Sequence, residues 1–394
     1  MSDELQKFAE IAPVDDAHFH ENMARLVKEP GLEHAIKYVM PDVDYPEFVK
    51  FLLSVKDKHT FQREVMWPFM EMLAKKTTSG VSVSGMENIE QNKQYTFITN
   101  HRDIVLDAAF LNICFFRDGR RASEVAIGSN LLIFDWISTL VRINNCFIVK
   151  RGGRRLEALD AAKELSAYIH YAINEKHESV WIAQREGRAK DSSDRTQESL
   201  IKMLALEGGG TAAQNLESIN LCPVSITYEF DPNDYLKARE FLMKKRDPEF
   251  KKSQRDDLFS METGLLQFKG RVHFSIGECL TDRIAAIDAG ADRATVLEDV
   301  CRMIDTSIHS RYKIYAINYI AHDLLCGDHK YEMLYTAAEK EAFEAYVDHQ
   351  LDKVEATDVT AEEREFMKRM MYTMYANPLK NKVEASKGAL HHEA

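Results

Sequence analysis

The chain of 394 residues has no stretch apolar enough to be read as a membrane span. Its richest region, Leu131 to Val149, is interrupted by Asp135, Arg142 and two asparagines, which a spanning helix rarely tolerates. Cysteine is sparse: six residues, at 114, 146, 222, 279, 301 and 326, several inside apolar runs, which excludes a disulfide framework and points to reduced thiols. Basic excess is missing as well, with Lys+Arg at 51 against Asp+Glu at 63 and a net charge of -12. That balance fits no nucleic-acid partner and opposes strong attraction of the whole surface to anionic lipid. Met1 to Leu5 offers neither a basic nor an apolar leader region, so no secretory signal is expected and the reading is cytoplasmic. No Gly-x-Ser-x-Gly elbow presents a serine nucleophile, and Gly208-Gly209-Gly210 lacks the following Lys-Ser/Thr of a nucleotide loop, which leaves it as a flexible loop over the site.

What is present is 45% hydrophobic residues, enough for a large core, in three segments. Residues 1–75 lack strand signals and carry helical spacing broken by Pro13, Pro30, Pro41, Pro46 and Pro68, which predicts an N-terminal helical domain or lid. Residues 76–280 alternate short apolar runs (Val81-Ser82-Val83, Tyr95 to Thr99, Cys146 to Val149, Val180 to Ala183, Cys222 to Tyr228 and Arg271 to Ile276) with helical ones. Leu156, Leu159, Leu165, Ile169 and Ile173 mark one such amphipathic helix. Residues 281–394 return to helical patterning, with His391-His392 read as an exposed tail. The class is α/β: a mixed, largely parallel sheet flanked by helices, with helical additions at both ends. Within the core segment, the charge-dense stretch Phe230 to Asp257 is expected to be an exposed helical insertion. Its Lys244-Lys245-Arg246 and Lys251-Lys252 are either a solvated face or a contact for an acidic carrier protein.

The chemistry concentrates in Ile98-Thr99-Asn100-His101-Arg102-Asp103-Ile104-Val105-Leu106-Asp107. A β-prone run ends just before His101 and a helical run begins just after, so the histidine falls on a strand-to-helix turn where a side chain can face substrate. An imidazole held on one nitrogen by a carboxylate can take a proton from an alcohol near neutral pH. Two aspartates are in reach. Asp103 stands where a helix N-cap belongs, whereas Asp107 lies one turn in and leans back toward His101, so Asp107 is the expected partner and Asp103 the alternative. Three more apolar runs end in polar residues downstream: Asn145-Cys146-Phe147-Ile148-Val149-Lys150-Arg151, then Trp181-Ile182-Ala183-Gln184-Arg185-Glu186-Gly187-Arg188, then Leu221-Cys222-Pro223-Val224-Ser225-Ile226-Thr227-Tyr228.

In order and approximate spacing, from about Ser82 to Gly277, these four blocks resemble the glycerolipid acyltransferase family, whose members acylate glycerol phosphate and lysophosphatidate. That family has His, four residues and Asp; then Phe-Ile-x-Arg; then Glu-Gly with a nearby Arg; then an apolar run with Pro. By the resemblance His101 and Asp107 are catalytic, and Arg102, Lys150, Arg151, Glu186, Gly187 and Arg188 bind substrate. It implies an acyl thioester, acyl-CoA or acyl carrier protein, as donor, a glycerophosphate or lysolipid as acceptor, and peripheral contact with the inner face of a membrane. No metal and no bound cofactor are implied. Three departures stand in the motifs: five residues separate His101 from Asp107, Lys150 precedes Arg151 where the family has its Arg, and Glu186-Gly187-Arg188 lacks the residue before its Arg.

Other readings remain. Lys150, Arg151, Arg154 and Arg155 surround Gly152-Gly153 as either an anion site or a solvated loop opening the next helix. Leu131 to Val141 is either a core helix or a surface dipping into a bilayer. Backbone N–H groups of the turn after His101 are candidates for holding the oxyanion. In place of a glycerolipid acyltransferase, the chain would be an acyltransferase for a hydroxyl-bearing aminolipid, or a lipid-binding module that keeps the fold without the reaction.

Overall fold

Helices account for the first quarter of the molecule in the computed structural model, which describes residues 6–390. They are α1 (Asp16–Leu26), α2 (Pro30–Val39), α3 (Tyr45–Ser54), the short α4 (Lys58–Phe61) and α5 (Trp67–Thr77). Pro30, Pro46 and Pro68 each occupy the first or second position of a helix, where a missing N–H costs nothing. The α/β segment then runs β1 (Gly80–Ser84), β2 (Thr96–Thr99), α6 (Leu106–Arg117), β3 (Glu124–Gly128), α7 (Asp135–Ile143), β4 (Cys146–Val149), α8 (Arg155–Asn174) and β5 (Val180–Ala183). It continues through α9 (Glu198–Leu204), α10 (Ala212–Glu217), β6 (Leu221–Tyr228), α11 (Asp234–Arg246), α12 (Gln254–Leu266) and β7 (Arg271–Ile276). Helices α13 (Thr281–Ala285), α14 (Arg293–Ser310), α15 (Ala316–Cys326), α16 (Ala337–Asp352) and α17 (Ala361–Leu390) complete the chain.

The seven strands form one mixed sheet in the order β1-β7-β6-β2-β5-β3-β4. Strands β2 to β6 run parallel, β7 pairs antiparallel with β6, and β1 runs parallel to β7. Alternation along the strands sends side chains to two cores. Ile98, Val180, Ile182 and Leu221 join α8, α9 and α14 on one face, and Phe97, Trp181, Cys222 and Val224 join α5 and α6 on the other. Pro223 lies inside β6, one residue before the antiparallel pairing with β7 begins at Val224, while its carbonyl accepts the Gly277 N–H.

Three expectations change here. Strand β3 was not foreseen, because Glu124, Ala126 and Gly128 break its apolar pattern; buried Glu124 accepts from the Tyr168 hydroxyl at 2.5 Å and pairs with Lys176. The glycine run 208–210 does not lie over His101. It precedes β6, whose Leu221 pairs with Thr96 at the opening of β2, and its neighbours are His170 and Asn215, whereas His101 follows the other end of β2. The stretch 230–257 is helical but not an exposed insertion: in α11, Asp234, Tyr235, Lys237, Ala238, Glu240 and Leu242 are buried. Its basic end is used within the chain, with Lys245 over the Phe366 ring at 4.4 Å and Arg246 bonded to Glu363 at 2.7 Å.

Between Leu131 and Val141, Ile137 is buried and Trp136 and Leu140 pack against the N-terminal helices, as a core helix would, although Phe134 stays 51% exposed. No helix among the described residues is long and apolar enough to cross a membrane. His391 and His392 lie outside those residues.

Candidate active site

Parallel pairing ends at Thr99 opposite Val224, and the next residue takes over the ladder with its side chain. Asn100, fully buried, donates its amide to the Ile226 carbonyl (2.9 Å) and accepts the Ile226 N–H (2.7 Å). Because the side chain replaces the main chain, the backbone is released to turn, and His101 emerges at a fixed point. Asn100 is a residue that motif reading quoted without a role. Its signal was a polar residue immediately after an apolar strand.

His101 donates from Nδ1 to Asp107 Oδ2 at 2.8 Å, and the Arg102 N–H donates to the same oxygen at 2.7 Å. Asp107 is completely buried and the His101 side chain is 13% exposed, so a fixed carboxylate orients the ring. In the tautomer that donates from Nδ1 to this carboxylate, Nε2 carries the lone pair. Trp181 supports the ring edge-on, with centroids 5.9 Å apart. Tyr228, at the end of β6, sits against the same pair of aspartates. Burial first, and then the charges of Asp107 and Asp103, push its phenol well above the ordinary range.

The extra residue between His101 and Asp107 is absorbed by a capped turn. Asp103 accepts the N–H groups of Val105 (2.9 Å) and Leu106 (2.8 Å), which closes the first turn of α6 and leaves Asp107 one residue into the helix. The same bonds answer the oxyanion expectation for three donors: the N–H groups of Arg102, Val105 and Leu106 are already held by carboxylates. Helix α12 crosses this cap so closely that a Cβ on Gly264 would stand 2.0 Å from Asp103 Oδ2.

The cations divide into two kinds. Arg102 and Arg188 are buried. Arg102 faces Asp194 at 2.6 and 3.3 Å, and Asp194 also accepts from the Tyr312 hydroxyl at 2.6 Å while holding a left-handed backbone at φ 47°. Burial opposes the charge of Arg102, but Asp194 outweighs it and raises the pKa above the ordinary value. Arg188 Nη1 reaches the Asn233 side-chain oxygen at 3.1 Å in the amide orientation that also lets Asn233 donate to the Ser260 carbonyl. Lys150 and Arg151 lie at the surface. Lys150 pairs with Glu10 and Glu164, and Arg151 pairs with Glu186 at 2.9 Å while its N–H donates to Ser129. Glu186 is 66% exposed, and Gly187 turns the chain at φ 67°. The structure thus brings Arg151 and Glu186 together, and sets Arg102 and Arg188 beneath the surface rather than in contact with solvent.

A second charged cluster, unforeseen from the sequence, lies behind the turn. Lys237 pairs with Asp231 and points toward the Arg102 carbonyl at 3.5 Å. Asp234 accepts from the hydroxyls of Tyr346 and Tyr375, each at 2.7 Å, and from Gln350 at 2.8 Å. Glu240 serves Lys190, Lys244 and Lys252. Burial, then Arg188 and Lys252, push Lys190 down to about 7.

Among solved structures, five chains match. One is the 1-acyl-sn-glycerophosphate (LPA) acyltransferase PlsC from Thermotoga maritima: 15% identity, 76% of this chain and 98% of that one covered, TM-score 0.40. No curated protein matches the sequence. Residues 80–227, which contain His101, Asp107, the first three motif blocks and the fourth as far as Thr227, match the family model described as Acyltransferase. Over that segment, somewhat more than a third of the chain, the sequence is similar to the acyltransferases that its motifs resemble.

Proposed function

We propose that the chain transfers a fatty acyl group from an acyl thioester to the hydroxyl of glycerol 3-phosphate or a lysophospholipid, with His101 as general base. The observation that supports this reading is the His101–Asp107 contact of 2.8 Å, made through Nδ1, so that Nε2 is the nitrogen left to act as the base. The acceptor hydroxyl gives its proton to Nε2 as its oxygen attacks the thioester carbonyl. Collapse of the tetrahedral adduct then breaks the C–S bond, and the proton on Nε2 leaves with the thiol. No covalent enzyme intermediate and no metal take part. Asp107 steadies the imidazolium formed in between.

Arg151 is the cation suited to an acceptor phosphate. Its pairing with a mostly exposed glutamate is worth little in water and exchanges readily for a doubly charged anion. Substrate reaches it from a membrane surface by peripheral contact. A hydroxyl-bearing aminolipid is the second acceptor class, favoured by one observation: Arg102 is buried and already neutralised by Asp194 of the chain itself.

The test is to incubate purified protein with long-chain acyl-CoA and acyl carrier protein thioesters and a panel of glycerol 3-phosphate, lysophosphatidate and hydroxyl-bearing aminolipids, beside His101→Ala. Transfer to one acceptor that vanishes in the variant supports the reaction and names the acceptor. Equal lipid binding by both proteins without transfer replaces it with a lipid-binding module.

A further inference from the structure

The end of α15, on an element separate from the His101 turn, gathers a histidine, a thiol and a carboxylate. His322 and Cys326 are one helical turn apart, and Gly327 caps the helix in a left-handed conformation (φ 68°), which reverses the chain and returns Asp328 to them. One ligand atom from each of His322, Cys326 and Asp328 lies within 4.8 Å of the others. Cys326 Sγ is 3.8 Å from His322 Nε2, and Asp328 Oδ1 is 3.8 Å from the same ring's Nδ1.

A second observation separates this trio from a chance surface grouping. His322 is 9% exposed, and among the described residues its Nε2 meets only the Cys326 sulfur, while Nδ1 lies 3.3 Å from the buried carboxylate of Asp323. Asp323 is itself fixed, accepting the Tyr331 N–H at 3.0 Å and the Tyr335 hydroxyl at 3.0 Å. A carboxylate on one imidazole nitrogen sets the tautomer in which the other nitrogen binds a metal, the outer-shell arrangement that metal-bound histidines use. Tyr331 packs edge-on against the ring at 4.9 Å and holds its orientation.

We propose that His322 Nε2, Cys326 Sγ and Asp328 bind a divalent first-row metal ion of the zinc class. A thiolate, an imidazole and one carboxylate suit zinc or cobalt(II), and neither magnesium nor calcium, which take oxygen ligands. Binding requires the thiolate, so the Cys326 proton is released to solvent as the S–metal bond forms, with no change of oxidation state. The negative end of the α15 dipole adds attraction for a cation. Lys330, stacked over Tyr331 at 4.9 Å, is the neighbouring positive charge that the ion must outcompete. Bound there, the ion ties the turn from Gly327 to Tyr335 to the end of α15.

The full-length protein, stripped with chelator, is titrated with cobalt(II) and followed by absorbance. The expected result is a thiolate-to-cobalt charge-transfer band that saturates at one cobalt per chain, bleaches on addition of zinc, disappears in Cys326→Ser and weakens at least tenfold in apparent affinity in Asp328→Asn. Both substituted residues are exposed, so these variants fold, and circular dichroism confirms it. Cys279→Ser should leave the band intact. No band in the parent protein overturns the proposal, and so does a band that survives Cys326→Ser or that disappears with Cys279.

Discussion

The His101 turn and the Lys150–Arg155 loop both follow parallel strands of one sheet, yet they are built in opposite ways. Around His101 the side chains of Asn100, Arg102, Asp103 and Asp107 are buried, and each has at least one donor or acceptor from the turn itself, β6, α6 or the segment after β5. Around Gly152-Gly153 the residues from 151 to 160 are exposed, Arg154 by 91%, and the ion pairs are surface pairs. The difference separates two tasks. A proton must be taken at one point in space, which rewards a preorganised turn, whereas a lipid headgroup can be gathered by side chains that rearrange.

Substitutions can break this contrast. His101→Ala should lower kcat by about 10² to 10⁴-fold without altering the thermal transition, since the ring is partly exposed and the fold does not rest on it. Steady-state kinetics beside calorimetry would check both halves, and a large drop in stability would make His101 a structural residue. Asp107→Asn should come next, at about 10²-fold in kcat with KM nearly unchanged, because its amide can present the wrong tautomer to Nδ1. A KM effect alone would remove Asp107 from the orienting role.

Gly264→Ala sharpens the contrast from the other side of the turn. Its methyl would stand 2.0 Å from Asp103 Oδ2, so either the cap or α12 must move, and a cost of ~1–3 kcal/mol in unfolding free energy is expected. Denaturant titration measures it, and an unchanged midpoint would mean that the cap is not tightly held. Arg151→Ala, in the loose region, should raise KM for a phosphate acceptor several-fold and leave kcat within about twofold. Equal loss in both parameters would place that loop among the preorganised parts.

The last test is a pH slope. Lys190 gives up its proton near 7 in the fold, against 10.5 as its ordinary value, so between those limits unfolding takes up a proton. Stability therefore rises with pH across that window, by at most about 1.4 kcal/mol per unit, and the contribution is lost as pH falls through 7. Lys190→Met should flatten the slope in thermal melts collected from pH 7 to 10. A slope that persists assigns the proton to another group.

How much of this was legible beforehand depended on whether the determinants were local. Strand β2, the turn at His101 and the preference for Asp107 over the capping Asp103 follow from residues within one short segment, and the structure pairs His101 with Asp107. The pairing of Arg151 with Glu186 joins two blocks whose separation in sequence hides their contact. Helix α11 was misread because charge density looks like solvent exposure. Its Asp234, Lys237 and Glu240 are compensated by Tyr346, Tyr375, Asp231 and Lys252, partners reached only through the tertiary fold. Strand β3 was hidden for the same reason, since buried Glu124 is satisfied by Tyr168 and Lys176 from α8 and the loop beyond it.

The junction at Asp234 also constrains the order in which the molecule is completed as it is synthesised. One of its hydrogen-bond donors, Tyr375, comes 141 residues later, which at ribosomal rates is a delay on the order of ten seconds. A nascent chain paused in that interval already contains the whole matched segment, 80–227, but α11 still lacks its late-arriving partners and leaves a buried acid short of its phenols. The long helix α17, remote in sequence from every motif, is therefore the last-arriving part on which completion of the core shared by α11, α15 and α16 depends.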